Sequence, residues 1–448
     1  MMFDKLINWV KDMMKMFSRN DLSRAIDVNI AVSSEMGEAL GLWSQMYENK
    51  APWLNETIKS LNLPAAIAAE VARLVTMEMK TEISGSTRAD WLNTQYQGIM
   101  QNVRRYVEYG CAKGGLILKP YIDGKRIAID YIQADCFFPT AFDSSGRITG
   151  VIFTDRIMRN NKIYTRLEYH NMQAKGCYVS NLAFVSTNKN ELGRQIDLVN
   201  VDEWSTLEPE VLIRNINRPL FAYFKIPLAN TIDTQSPLGV SIYSRAVDLI
   251  CEADKQYSRL LWEFESGERA LYVSDMAFKK DEKGNIKFPN KRLYRALAEG
   301  EDLFEEWTPT LREQNILNAL DSILTKIEDA CGLARGTFTN PQNEAKTATE
   351  LKILRQRSYA TVADTQKALQ STLEDLVYAM DVWATLGHLA PAGKYDVTFE
   401  WDDSIVSDRQ AEYAERSQLV SLGVMQPWEL RSWYLGESEE TAKQMITE

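Results

Sequence analysis

Apolar residues recur at helical spacing from the start of the chain: Phe3, Leu6, Ile7, Val10, Met13, Met14 and Phe17 share one face. Asp4, Lys5, Asn8, Lys11 and Asp12 interrupt any continuous apolar run. Residues 3–17 therefore predict a docking helix, not a signal peptide or a spanning segment. A helix lying in a membrane interface is the second reading. Further helices are predicted at 33–48, 64–79 and 87–109, the second opened by Pro64 and a run of good helix formers. At Gly110 the period changes. Leu116–Tyr121 and Arg126–Tyr131 read as strands about an Asp123-Gly124 turn, and Ile148–Asp155 and Ile163–Tyr169 flank Asn160-Asn161. Cys177–Val185 and Leu220–Ile226 extend this pattern, so about 110–230 predicts a mostly antiparallel β region packed on the preceding helices.

From Val240 to Ser266 there is neither Gly nor Pro, and Ile242, Ala246, Leu249, Ile250, Ala253, Tyr257, Leu260, Leu261 and Phe264 fall on one helical face. Arg245, Asp248, Glu252, Lys255, Arg259 and Glu263 occupy the other. A strand-like Ala270–Val273 follows, then a second amphipathic helix at Glu313–Cys331. The Gly- and Thr-rich stretch from Gly332 to Pro341 reads as a loop. Glu344–Leu386 lacks Gly and Pro and predicts a helix about 65 Å long, which must cross several layers, kink or belong to an assembly. Tyr395–Trp401 alternates as a lone strand that has to pair with a sheet formed far earlier in the chain. Helices follow: Ser407 with Gln410 forms a capping-box signature, Gly423 is a C-cap, and Pro427 starts another short helix.

The 448 residues suggest about three domains or one elaborated fold, and 45% apolar with 25% charged residues excludes wholesale disorder and a polytopic membrane protein. Cys111, Cys136, Cys177, Cys251 and Cys331 are scattered without a C-x-x-C pair and read as reduced, buried thiols. With only His170 and His388, a catalytic triad or a His-rich metal site has little material. His170 reads as a strand residue and His388 as a group near a helix C-terminus. No P-loop, dinucleotide fingerprint, zinc-protease or nucleophile-elbow motif occurs. Asp402-Asp403 is the most visible carboxylate pair and reads first as a solvated strand end. The net charge of −11 argues against a protein that wraps nucleic acid over its whole surface. Against it stands a basic stretch, Lys279, Lys280, Lys283, Lys287, Lys291, Arg292 and Arg295, a surface for acidic partners, phosphate or simply solvent.

The order of elements, with Ser236-Pro237-Leu238-Gly239, Leu320-Asp321-Ser322-Ile323-Leu324, Glu328-Asp329-Ala330-Cys331-Gly332-Leu333, Gly336-Thr337-Phe338 and Lys346-Thr347-Ala348-Thr349-Glu350, resembles the portal proteins (head–tail connectors) of long-tailed phages and prophages. The resemblance implies an α+β portal-type fold assembled as a ring, typically of twelve subunits. It implies a wing (1–235), a first stem helix (236–267), a small α/β clip (268–310) and a second stem helix (311–331). A tunnel loop (332–343), the long wing helix with its returning strand (344–405) and a short helical crown (406–448) complete it. Arg335, Thr337, Thr339, Asn340, Gln342, Asn343 and Lys346 become the residues expected to meet DNA in the channel, and the basic stretch becomes the clip's docking surface. The implied partners are the terminase large subunit, a head–tail adaptor, the major capsid and scaffolding proteins, and double-stranded DNA passing without sequence readout. No cofactor, metal, stable membrane insertion or catalytic activity is expected, and the implied location is the virion, with the host cytoplasm during assembly. The competing readings are a Mg²⁺-dependent nucleic-acid-processing enzyme built on carboxylates such as Asp402 and Asp403, and a long-helix scaffold protein with an interfacial N-terminal helix.

Overall fold

The computed structural model describes residues 19–77, 79–188, 191–267, 270–273, 293–295, 304–307, 310–339, 348–401, 409–435, 437 and 439–447. The predicted helix at 3–17, the pair Asp402-Asp403 and Ser407 of the capping-box signature lie outside these.

Helices α1 (Arg19–Ile26), α2 (Ser34–Tyr47) and α3 (Leu63–Thr76) come first. The Ser33 hydroxyl caps α2 by accepting from the Met36 N–H. Helix α3 stops at Thr76, short of the expected residue 79, because Met77 is already extended toward strand β1 (Lys80–Ser84). The segment expected as one helix over 87–109 is two, α4 (Thr87–Met100) and α5 (Val103–Lys113). The break lets Leu92, Tyr96 and Ile99 of α4 and Val107 and Cys111 of α5 reach the same core. Gly110, read as the point where the period changes, lies inside α5; a Cβ there would sit 2.6 Å from the Phe224 ring.

Then follow β2 (Gly115–Asp123), β3 (Arg126–Gln133), β4 (Phe137–Phe142), β5 (Ile148–Arg159), β6 (Lys162–Gln173), β7 (Gly176–Ser186), β8 (Arg194–Ile196), β9 (Glu210–Arg214) and β10 (Ala222–Lys225). Two antiparallel sheets result, one ordered β10-β2-β3 and the other β4-β5-β6-β7-β8 with β9 also on β7. The Asn160-Asn161 turn was legible: both residues have positive φ, 49° and 59°, which a two-residue primed turn between right-twisted strands requires. Strands β4, β8 and β9 were not. The first carries Pro139 and two register shifts, and the other two have only three and five residues.

Helix α6 (Val247–Ser266) starts later than the predicted Val240. Residues 240–243 are fully buried and their bonds go elsewhere: Ile242 N–H donates to Cys111 O at 3.0 Å, and Tyr243 Oη to Trp43 O at 2.9 Å. A small sheet of β11 (Ala270–Val273), β12 (Leu293–Arg295) and β13 (Phe304–Trp307) has β11 at its centre, parallel to β12 and antiparallel to β13. Helix α7 (Glu313–Cys331) has the predicted bounds. Helix α8 (Ala348–Leu386) runs 39 residues, about 58 Å. Its Leu369, Leu373, Leu376, Val377, Met380 and Ala384 are buried in the main core, which is how so long a helix is held within one chain. The lone strand β14 (Asp396–Glu400) pairs antiparallel with β1, from Lys80↔Glu400 to Ser84↔Asp396. Helices α9 (Arg409–Ser421), α10 (Pro427–Leu435) and α11 (Glu439–Thr447) end the chain, with Gly423 in the left-handed conformation after α9.

One main core joins α2–α5, β2, β10 and the inner parts of α6, α7 and α8. All five cysteines are free; Cys111, Cys177 and Cys331 are buried as expected, whereas Cys136 and Cys251 are only partly so. No helix of the described residues is long and apolar enough to cross a membrane.

Candidate functional site

The candidate site is the hairpin of α6 and α7 with the loop that follows it. Its inner half belongs to the core: Ile250 and Ala253 of α6 are fully buried, as is Ile327 of α7, with Cys331 nearly so. Asp254, 2% exposed, ties α6 to the 53–61 segment by accepting from Trp53 Nε1 (2.9 Å) and Leu61 N–H (2.8 Å). Burial raises its carboxyl pKa, and the Trp53 and Leu61 bonds oppose the rise.

The outer half stands away from the core. Where α6 ends and α7 begins, the Glu263 carboxylate accepts from Arg312 three times: from the backbone N–H at 2.9 Å, from Nε at 3.2 Å and from Nη2 at 2.9 Å. These bonds hold the Glu263 carboxyl below its usual range. They also fix the two helices as an antiparallel pair. Along this half several apolar side chains stand open in the single chain. Leu260 is buried, but Leu261, Trp262, Phe264 and Leu317 are 40%, 60%, 48% and 40% exposed. Within one chain each helix has only the other to pack against, and one partner cannot cover so wide a stripe.

At its inner end α7 stops at Gly332, which takes the left-handed conformation (φ 69°) while Leu333 N–H donates to Glu328 O at 2.9 Å. A Cβ at Gly332 would lie 2.3 Å from Thr361 Oγ1, so α7 ends directly against α8. The loop then folds around a carboxylate. Glu328, fully buried, accepts from Phe338 N–H (2.6 Å) and Thr339 N–H (3.1 Å) at Oε1 and from Gly336 N–H (3.1 Å) at Oε2. The Thr339 hydroxyl lies 3.3 Å from both oxygens. Neighbouring Asp329 accepts from Arg335 Nε (3.1 Å) and Nη2 (2.8 Å).

Of the residues expected to meet DNA, Arg335 is exposed but paired with Asp329. Thr337 Oγ1 donates to Ala334 O at 2.5 Å, and Thr339 faces Glu328. Asn340, Gln342, Asn343 and Lys346 lie outside the described residues. So do Lys279, Lys280, Lys283, Lys287, Lys291 and Arg292; Arg295 falls in β12. Sequence reasoning missed Glu263, Arg312, Glu328 and Asp329. One signal pointed to the last two: they sit in the final turn of a helix, where the macrodipole disfavours anions. Both histidines are structural. His170 is buried in β6 with Nε2 2.7 Å from Glu168 Oε1, and His388 (φ 49°) is the left-handed residue after α8. Among the described residues no group of His, Cys, Asp and Glu is arranged to hold a metal.

The helical hairpin thus carries a small sheet at one end and a loop to a core-crossing helix at the other. The sequence model of the phage portal proteins of the SPP1 Gp6-like type matches residues 61–448, and the chain belongs to that family. The family is one of structural assembly proteins of the virion. No curated protein matches the sequence. Among solved structures, the chain is similar to one in the "Neck of native GTA particle computed with C12 symmetry", at 11% identity over 83% of this chain and 89% of that one. The TM-score is 0.39, too low to bear on the assembly.

Proposed function

We propose that the chain assembles as a ring of twelve at one capsid vertex, the conduit through which double-stranded DNA is packaged and later ejected. The observation that carries the ring is the exposed row Leu261, Trp262, Phe264 and Leu317 on the outer half of the hairpin. Burying the exposed half of each such side chain against a neighbouring subunit contributes roughly 1 kcal/mol. In this reading 1–235 is the wing, 236–267 and 311–331 are the stem helices, and 268–310 is the clip. The tunnel loop is 332–343, followed by the long wing helix with its returning strand (344–405) and the crown (406–448).

The clip's basic residues, Lys279 to Arg295, face acidic surfaces of the terminase large subunit or the head–tail adaptor, and the wing meets capsid and scaffolding proteins. ATP hydrolysis belongs to the terminase, consistent with the missing P-loop. A net charge of −11 on every subunit suits a conduit, since walls that repel a polyanion let it slide without capture. Thr337, Thr339, Asn340, Gln342 and Asn343, between Arg335 and Lys346, make the brief polar contacts. The ring assembles in the host cytoplasm before it is built into the virion. Electron microscopy of the purified full chain tests the proposal: rings with a central hole are expected, and a monomer at every concentration tried overturns it.

A further inference from the structure

Two adjacent acidic residues in the last turn of a helix cost stability unless something neutralises them. Here each has a dedicated use. Asp329 holds the Arg335 side chain. Glu328 is enclosed by the backbone of the loop itself: three N–H groups, from Gly336, Phe338 and Thr339, and one hydroxyl converge on its two oxygens. Such convergence of backbone N–H groups within one turn of chain makes an anion-binding concavity, like a nest. Leu333, buried, and Phe338, half-buried, anchor the same stretch in the main core on either side of it.

We propose that Glu328 is the positioning residue of the channel loop. By filling a nest that the loop builds, it locks residues 333–339 to the end of α7, so the loop's place in the channel follows that helix and not the loop's own freedom. The inference rests on reading this segment as the tunnel loop. It deepens that reading in one respect. The N–H donors of Gly336, Phe338 and Thr339 are spent on Glu328 and do not clamp phosphate. Because Gly332 packs on Thr361, the end of α7 rests against the side of α8 at the same junction, and a movement of α7 reaches the loop directly.

The test uses assembled rings of the full chain with Glu328→Ala, Glu328→Gln and Thr339→Val, read by hydrogen exchange and by DNA content of particles. Exchange at Gly336, Phe338 and Thr339 should rise tenfold or more in Glu328→Ala, and less in the other two, while α7 keeps its protection. Rings should form in normal numbers, and DNA packaged or retained should fall at least tenfold in Glu328→Ala. Unchanged exchange at these amides overturns the positioning role. Raised exchange with wild-type DNA content overturns the tunnel-loop reading beneath it. If Glu328→Ala does not fold, the Gln and Val variants carry both measurements, and wild-type exchange in both of them overturns the proposal.

Discussion

Glu168 on β6 sits among three basic groups. Its Oε2 accepts from Lys119 Nζ at 2.7 Å and pairs with Arg166 Nη2 at 3.1 Å, and Oε1 meets His170 Nε2 at 2.7 Å. Burial alone would raise this carboxyl, but Lys119, His170 and Arg166 together hold it well below the usual range. The folded state therefore binds its proton less readily than the unfolded chain. The contribution is full above about pH 4.3 and is lost as pH falls through the depressed folded value. Nearby Asp130 is raised, chiefly by burial, and acts with the opposite sign. Glu168→Gln should cost about 1–3 kcal/mol at neutral pH, because Lys119 and Arg166 lose their nearest carboxylate and keep only the longer pairs with Asp130 (3.6 Å) and Asp155 (3.7 Å). It should also flatten the acid limb of a stability–pH curve measured by denaturant unfolding. Gly239 offers a second test at this scale. A Cβ there would lie 2.0 Å from the Gly114 carbonyl oxygen, so Gly239→Ala should lower stability by about 1–3 kcal/mol in thermal melts. The Pro-Leu-Gly motif is thus a place where two backbones touch.

Among elements, one side chain ties α4 both to α8 and to the chain leading into β14. Arg88, 1% exposed, donates from Nε to Asp381 Oδ1 (2.8 Å), from Nη1 to Ala390 O (2.8 Å) and from Nη2 to Thr385 Oγ1 (2.7 Å). It thereby holds the end of α8 and the chain leading into β14. Arg88→Leu should cost about 1–3 kcal/mol, since it removes the hydrogen bonds by which a buried guanidinium joins Asp381, Thr385 and Ala390. Exchange at the β1 and β14 amides should rise before that of the main core. Helix bounds were legible for Ser34–Tyr47 and Glu313–Cys331 because their apolar spacing is matched by local start and stop signals. The start of α6 was not. Nothing in Val240-Ser241-Ile242-Tyr243 tells that its backbone and side chains will be spent on Cys111 and Trp43, more than a hundred residues earlier.

For the whole molecule, the exposed apolar side chains of the hairpin are one feature that a single chain leaves unfinished. Trp262→Asp combined with Leu317→Asp should abolish rings in electron microscopy and in light scattering. The monomer's melting temperature should change little, because both side chains are exposed in it. Loss of monomer stability with rings intact would place these residues in the fold and not in the interface. The excess of negative charge belongs to this scale too, since its effect on a passing polyanion is multiplied by the number of subunits.

The sequence by itself determined the type and order of the strongly periodic elements and the Asn-Asn hairpin, and the order of its short motifs was enough to point to the portal family. Those features are written in spacing and turn chemistry, which act within a few residues. Tertiary structure alone decided the partner of the lone strand, where the Thr398 hydroxyl reaches the Glu82 carbonyl 316 positions away. It alone also decided the enclosure of Glu328, the root of the candidate loop. A strand as short as Lys80–Ser84 becomes a strand only when another edge arrives. A buried carboxylate is tolerable only once the loop has closed on it. Neither condition leaves a local mark in the chain.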